Sequence, residues 1–157
     1  MHFVEDALRA QGIELPEAVD TRFSYRPIIR DGTSLYIAGQ LAKSPGDRVA
    51  SPGVVGQDVT LDEASAAARA CALQALAWIK AEMGSLDHVR RVLRLNGYVR
   101  VGAAGFDQMS QVINAASDTL VLAYGSNGQH ARSVLGVADL PRHASVMIDL
   151  TVALRDR

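Results

Sequence analysis

Basic blocks are missing from this sequence. Among 157 residues, 16 Lys and Arg are offset by 17 Asp and Glu, and no basic run is longer than Arg90-Arg91. Nucleic-acid affinity comes mainly from many Lys/Arg–phosphate contacts on one face, so no nucleic-acid partner is expected. A lone cysteine, Cys71, leaves no internal disulfide and no Cys-only zinc site. No stretch approaches the ~20 apolar residues of a membrane span. Glu5 and Asp6 stand where a signal peptide would need a cationic and then an apolar segment, so the expected location is the cytoplasm and no membrane partner is expected. Gly102-Ala-Ala-Gly105 lacks the Lys and Ser/Thr of a phosphate loop and the third Gly of a dinucleotide fingerprint, and no cofactor is expected. His2, His88, His130 and His143 lack paired ligand spacing, which argues against a metal site. Ser117 and Ser133 lack the G-x-S-x-G context of a hydrolase triad.

What is present is a chain 48% hydrophobic and long enough to bury its own core. It reads as a single domain over 1–157, with 1–20 a helical extension and 21–157 the core. Phe3, Val4, Ala7 and Leu8 recur at helical spacing over residues 3–11, with Glu5, Asp6 and Arg9 on the polar face. Phe23 to Arg30 suits a strand that Pro27 confines to an edge or bulge, because proline cannot donate to a ladder. Asp31-Gly32 turns it into a second strand, Leu35–Leu41. Residues 43–58, rich in Pro, Gly, Ser and Asp, read as a loop. Thr60-Leu-Asp-Glu63 is a capping box that opens a helix ending at Met83, before Gly84. A strand from Val89 to Val101, a helix from Phe106 to Tyr124 and strands Ala131–Val137 and Ala144–Leu154 complete the order β-β-α-β-α-β-β.

Each long helix has one apolar side, so both are expected on the same sheet face in an α+β fold. The opposite face, assigned Arg94, Asn96, Tyr98, Val134, Met147 and Thr151, is too mixed for a core and too apolar for free exposure. A second subunit is expected to cover it.

Cys71 sits mid-helix among alanines, the setting of a small buried hydrophobe and not of a nucleophile. Arg132 opens an otherwise apolar strand, where a guanidinium is either paired within the fold or kept to hold an anion with its fork. Tyr25, Gly39-Gln40 and Asn114 supply small or polar groups able to line the same cleft.

Leu35-Tyr-Ile-Ala-Gly-Gln40, Ala131-Arg-Ser, Val137-Ala-Asp-Leu-Pro141 and a terminal strand, in that order, resemble the signature of the RidA family (reactive intermediate deaminase A, also called YjgF/YER057c/UK114 and endoribonuclease L-PSP). The resemblance runs from about residue 23 to the C-terminus and looks like a divergent branch. It implies a chorismate-mutase-like α+β fold assembled as a homotrimer, sheets forming an inner barrel and a ligand cleft at each subunit interface. It also implies that Arg132 clamps a substrate carboxylate and that Tyr25, Gly39 and Asn114 line the cleft. In typical members a glutamate of the last strand orients the water that hydrolyses an enamine or imine to a keto acid and ammonia. Here Met147 occupies that position, and Ala38 stands where Ser is frequent.

A thioether cannot polarise water, and losing a positioned acid/base costs roughly 10²–10⁴-fold in rate. Asp149 points to the same strand face but is displaced by about 7 Å. The expected function is therefore binding of a small carboxylate or carbonyl metabolite in the intersubunit clefts, through Arg132, Tyr25, Gly39, Asn114 and Met147. Imine hydrolysis with Asp149 or Tyr25 replacing the glutamate is the alternative, and endoribonuclease activity the weakest.

Overall fold

The computed structural model describes residues 2–156. Helix α1 (Phe3–Ala10) ends one residue earlier than its pattern predicts. Its first turn has no side-chain cap of its own; the Asp87 carboxylate accepts the N–H groups of Phe3 (2.8 Å) and Val4 (3.0 Å) instead. The face predicted to be polar is partly wrong. Glu5 is only 6% exposed and accepts the Leu86 N–H at 2.9 Å, while Phe3 and Ala7 lie outside and Leu8 is buried. A buried carboxylate given a backbone donor can replace an apolar residue at a helix contact, which periodicity alone does not reveal.

The first strand is shorter than expected. Strand β1 (Ile28–Asp31) pairs with β2 (Ser34–Leu41) only from Ile28, opposite Ile37, and residues 22–25 are bends. Pro27 contributes its carbonyl to Ala38 N–H at 2.8 Å, using the one hydrogen-bonding group a proline backbone retains. The loop 43–58 contains a small hairpin, β3 (Lys43–Ser44) and β4 (Arg48–Val49), and is drawn inward by buried Val55 and Val59.

Helix α2 (Leu61–Met83) opens with the anticipated reciprocal cap: Thr60 Oγ1 accepts the Glu63 N–H and Glu63 accepts the Thr60 N–H. Strand β5 (Val89–Arg100) follows a 3-10 turn at Leu86–His88. Helix α3 (Met109–Tyr124) starts three residues later than predicted, and β6 (Ala131–Val137) and β7 (Val146–Leu154) close the chain. The main sheet runs β1-β2-β7-β5-β6, with β5 and β6 parallel and the other neighbours antiparallel. This is the mixed α+β architecture the sequence implied.

Both long helices share one sheet face. Ala64, Ala68, Cys71, Ala75 and Ile79 of α2 and Val112, Ile113, Ala116 and Leu120 of α3 join Leu35, Ile37, Leu95, Val99, Ile148, Leu150 and Val152 in one buried cluster. Gly97 permits the closest approach of α3, because a Cβ there would lie 2.7 Å from Ile113 Cγ1. Burial pushes the Cys71 thiol well above its ordinary range, in keeping with an inert core residue.

On the opposite face one assignment needs correction. The register pairs Gly97 with Val134 and Tyr98 with Leu135, so Val134 packs on the helix side and Leu135, 51% exposed, takes the open face. Parallel pairing sets strand parity through the neighbour, and a short apolar strand such as β6 does not disclose that parity by itself.

Candidate functional site

Two groups of the expected site residues come together, on opposite faces of the sheet. The first lies where edge strand β6 meets α3. Asn114 and Ser117 are three residues apart on α3 and share a helix face, while His130 and Arg132 are two apart and point to one side of their strand. Arg132 Nη1 donates to Asn114 Oδ1 at 2.8 Å and to Ser117 Oγ at 3.2 Å. Ser117 Oγ lies 3.0 Å from His130 Nε2, and His130 Nδ1 lies 2.6 Å from the Gly128 carbonyl. A carbonyl only accepts, so Nδ1 carries the proton of a neutral His130 and Nε2 accepts from the Ser117 hydroxyl.

The ion pair considered for Arg132 is not there: among the described residues no carboxylate comes within 4.0 Å of it. Its guanidinium is aimed by neutral partners, and the charge stays uncompensated at a partly exposed edge. Such a fork suits a carboxylate or phosphate.

The second group occupies the open face. The β2–β7 register shifts between Ile37 and Gln40, and the resulting irregularity sets Gly39 against Met147, where a Cβ on residue 39 would stand 2.7 Å from the Met147 Sδ. Register disruptions of this kind commonly re-aim a strand beside a site. Met147 pairs with Tyr98 on one side and Leu41 on the other, and packs with Leu41, Leu140 and Ala144. Met147 therefore makes an apolar contact on this face.

Asp149 is tied to its cross-strand neighbours through both carboxylate oxygens. Its Oδ1 accepts from Asn96 Nδ2 at 2.8 Å and its Oδ2 from the Tyr98 hydroxyl at 2.9 Å. Arg94 continues the chain, donating from Nε to Asn96 Oδ1 (3.1 Å) and from Nη2 to Ser133 Oγ (2.6 Å). Partial burial raises the Tyr98 phenol above its ordinary pKa, and the hydrogen bond to the Asp149 carboxylate adds to the effect. Tyr98 is thus a neutral donor at physiological pH. Tyr25 joins neither group: it is 53% exposed in the bend before β1 and makes no side-chain hydrogen bond among the described residues.

The sequence reading did not connect Ser117 and His130 to Arg132. The signal was available in the i,i+3 and i,i+2 spacings, but only once α3 and β6 are known to be neighbours. A different cluster, His2, Glu5 and Asp87, brings ligand-type atoms within 4.8 Å of one another. Its carboxylates already accept the backbone N–H groups of Leu86, Phe3 and Val4, so it docks α1. A cavity of about 520 Å³ adjoins it, lined in part by Phe3, Arg90, Tyr124 and Arg155, and holds none of the expected site residues.

Known proteins are similar to this chain over nearly its full length. A sequence from Trypanosoma cruzi, Protein TCP17, is 39% identical over 150 residues, covering 95% of this chain and 92% of its own. A protein of unknown function from Agrobacterium tumefaciens superposes with a TM-score of 0.87 at 38% identity, covering 96% of this chain and 91% of that one. A Shewanella oneidensis structure, described as "a putative endoribonuclease", superposes with a TM-score of 0.90 at 28% identity, covering 96% and 99%. The family model "YjgF/chorismate_mutase-like, putative endoribonuclease" matches residues 5–154, taking in both long helices, all five strands of the main sheet, Arg132 and Met147, and the chain belongs to that family.

Proposed function

We propose that this protein binds a small carboxylate or carbonyl metabolite in clefts between the subunits of a homotrimer, with Arg132 as the anion contact. The observation that carries the reading is the uncompensated Arg132 guanidinium, held ready at a strand edge by Asn114 and Ser117. Met147 on Gly39 adds an apolar wall where the family's enzymes carry an acid. Arg132 and Met147 lie on opposite faces of one sheet, so a ligand touching both draws them from two copies of the chain. The half-apolar open face, with Tyr36 and Leu135 exposed, supplies the surface those copies would bury.

The test is thermal stability against a panel of 2-oxo acids and amino acids. Saturation at about 100 times Kd contributes about 2.7 kcal/mol. For a chain of this size that raises Tm by about 5–10 °C. Arg132→Lys should lose most of the shift, because a point charge does not reproduce the bidentate fork. An equal shift in Arg132→Ala removes the proposal, and a monomer by light scattering removes the intersubunit cleft.

Imine hydrolysis is the second reading. It requires a group that activates water, and the geometry disfavours both substitutes: Asp149 already accepts from Asn96 and Tyr98, and Tyr25 is more than half exposed. Turnover of freshly generated 2-aminoacrylate by the unmodified protein in a semicarbazide-coupled assay would place this reading first. Ribonuclease activity ranks last, since the charge is balanced and no basic run exceeds two residues.

A further inference from the structure

The geometry points to a second, covalent chemistry at the β6–α3 edge: Ser117 and His130 form a nucleophile–base pair that cleaves small esters, with Arg132 stabilising the oxyanion. An activated nucleophile is recognised by a base within about 2.6–3.2 Å that is itself oriented by a third group. Ser117 Oγ and His130 Nε2 are 3.0 Å apart, and the Gly128 carbonyl holds the far side of the ring at 2.6 Å. The tautomer that results presents an unprotonated Nε2 to the serine, as a general base must. The ligand-binding reading uses Ser117 only to hold Arg132 and does not call on the Ser117–His130 contact.

Three features separate this pair from an ordinary surface hydrogen bond. Both residues are half-buried, so the bond is partly shielded from water. Arg132 Nη1 donates to the same Oγ at 3.2 Å, so a fixed positive charge lies beside the nucleophile, and the oxyanion formed when Oγ attacks a carbonyl would arise next to that guanidinium. An open groove of about 400 Å³ adjoins the base, with His130 and Ala131 in its wall and Val92, Leu93, Arg91 and Gln129 completing it; Ser117 and Arg132 stand outside that lining.

The reaction balances with water as the only co-reactant. Ser117 Oγ bonds to the carbonyl carbon of the ester, the π pair moves to the carbonyl oxygen facing Arg132, and the serine proton passes to His130 Nε2. As the carbonyl re-forms, the carbon–alkoxy bond breaks and the leaving oxygen takes that proton. Water then attacks the acyl-serine, gives its proton to His130 Nε2, and releases the acid as Ser117 recovers its hydrogen. Ester and water become acid and alcohol.

The experiment is labelling of the full-length protein with a fluorophosphonate probe, read by intact mass and peptide mapping, beside 4-nitrophenyl acetate turnover. One adduct per chain on Ser117 is expected, absent in Ser117→Ala. In His130→Gln the labelling rate should fall about 100-fold or more, because the base is gone. No adduct on Ser117 in the unmodified protein overturns the proposal without reference to any variant. An adduct that forms equally fast in His130→Gln overturns it too. The carboxylate-induced Tm shift, measured on the same samples, keeps the two readings apart: a shift without an adduct leaves Ser117 and His130 as positioning residues for Arg132, whereas an adduct without a shift removes the metabolite and retains the esterase.

Discussion

Restoring the absent acid gives the sharpest test of how the open face is built. In Met147→Glu the new carboxylate sits against Gly39 and opposite Tyr98, two residues from Asp149 on the same strand face. Two strand steps are about 7 Å. At that separation two carboxylates repel by about 2.4 kcal/mol with an effective dielectric of ~20. That repulsion raises the pKa of the introduced glutamate above the usual carboxylate range. The raised value sets the sign. Below pH ~4 the side chain is protonated in both folded and unfolded chains, and the variant loses only the packing of the thioether. As pH rises past the usual carboxylate range the unfolded chain releases its proton first, so stability falls and reaches its full deficit once the folded chain is ionised too. The deficit of about 2.4 kcal/mol lowers Tm by about 5–10 °C. Scanning fluorimetry of both proteins at pH 4 and pH 8 reads it directly. A Tm difference that is the same at both pH values refutes the reasoning, because it means the new carboxylate does not feel Asp149. Deaminase activity gained by this variant alone would show an intact scaffold that lacks only the acid.

Two further substitutions probe the scaffold. Gly97→Ala should cost about 1–3 kcal/mol by overpacking. The new Cβ meets three Ile113 carbons at 2.7–2.9 Å, so in denaturant melts the Gly97→Ala/Ile113→Ala double variant should be less destabilised than the sum of the single ones. Asp87→Ala should cost about 0.5–2 kcal/mol, the range for losing a helix cap. Hydrogen exchange should then accelerate in α1, whose first two N–H groups the Asp87 carboxylate accepts, and unchanged protection there would refute the capping role.

Where the sequence was readable, the cause was periodicity plus local chemistry. The Thr60/Glu63 cap, the terminal strand and the burial of Cys71 among the alanines of α2 each follow from interactions within a few residues, and each stands as read. What was not readable depends on neighbours distant in sequence. Glu5 looks solvated until Leu86, 81 residues away, supplies its donor. Val134 and Leu135 exchange faces because β5 sets the parity of β6. Arg132 offered two readings from spacing, and only the approach of α3, with an amide and a hydroxyl instead of a carboxylate, separates them. Asp149 likewise looked available from its strand position, and cross-strand Asn96 and Tyr98 occupy it.

Strand parity also constrains how the two halves of the site can cooperate. Arg132 pairs with Leu95 and therefore leaves the sheet on the helix side, whereas Met147 pairs with Tyr98 and leaves it on the open side. No rotamer change moves a side chain through a sheet, and a one-residue slip of β7 would expel Ile148, Leu150 and Val152 from the core. Within one protomer the two groups are consequently independent: Met147→Glu cannot touch a ligand on Arg132 of the same face-locked chain. Coupling between them, seen as a change in carboxylate affinity when residue 147 is altered, would have to pass between copies and would vanish on dilution to the monomer. The esterase proposed at Ser117 carries no such dependence, since its nucleophile, base and oxyanion contact all belong to one β6–α3 edge. Concentration therefore distinguishes the two chemistries: binding that uses both faces scales with assembly, and acyl transfer at the edge does not.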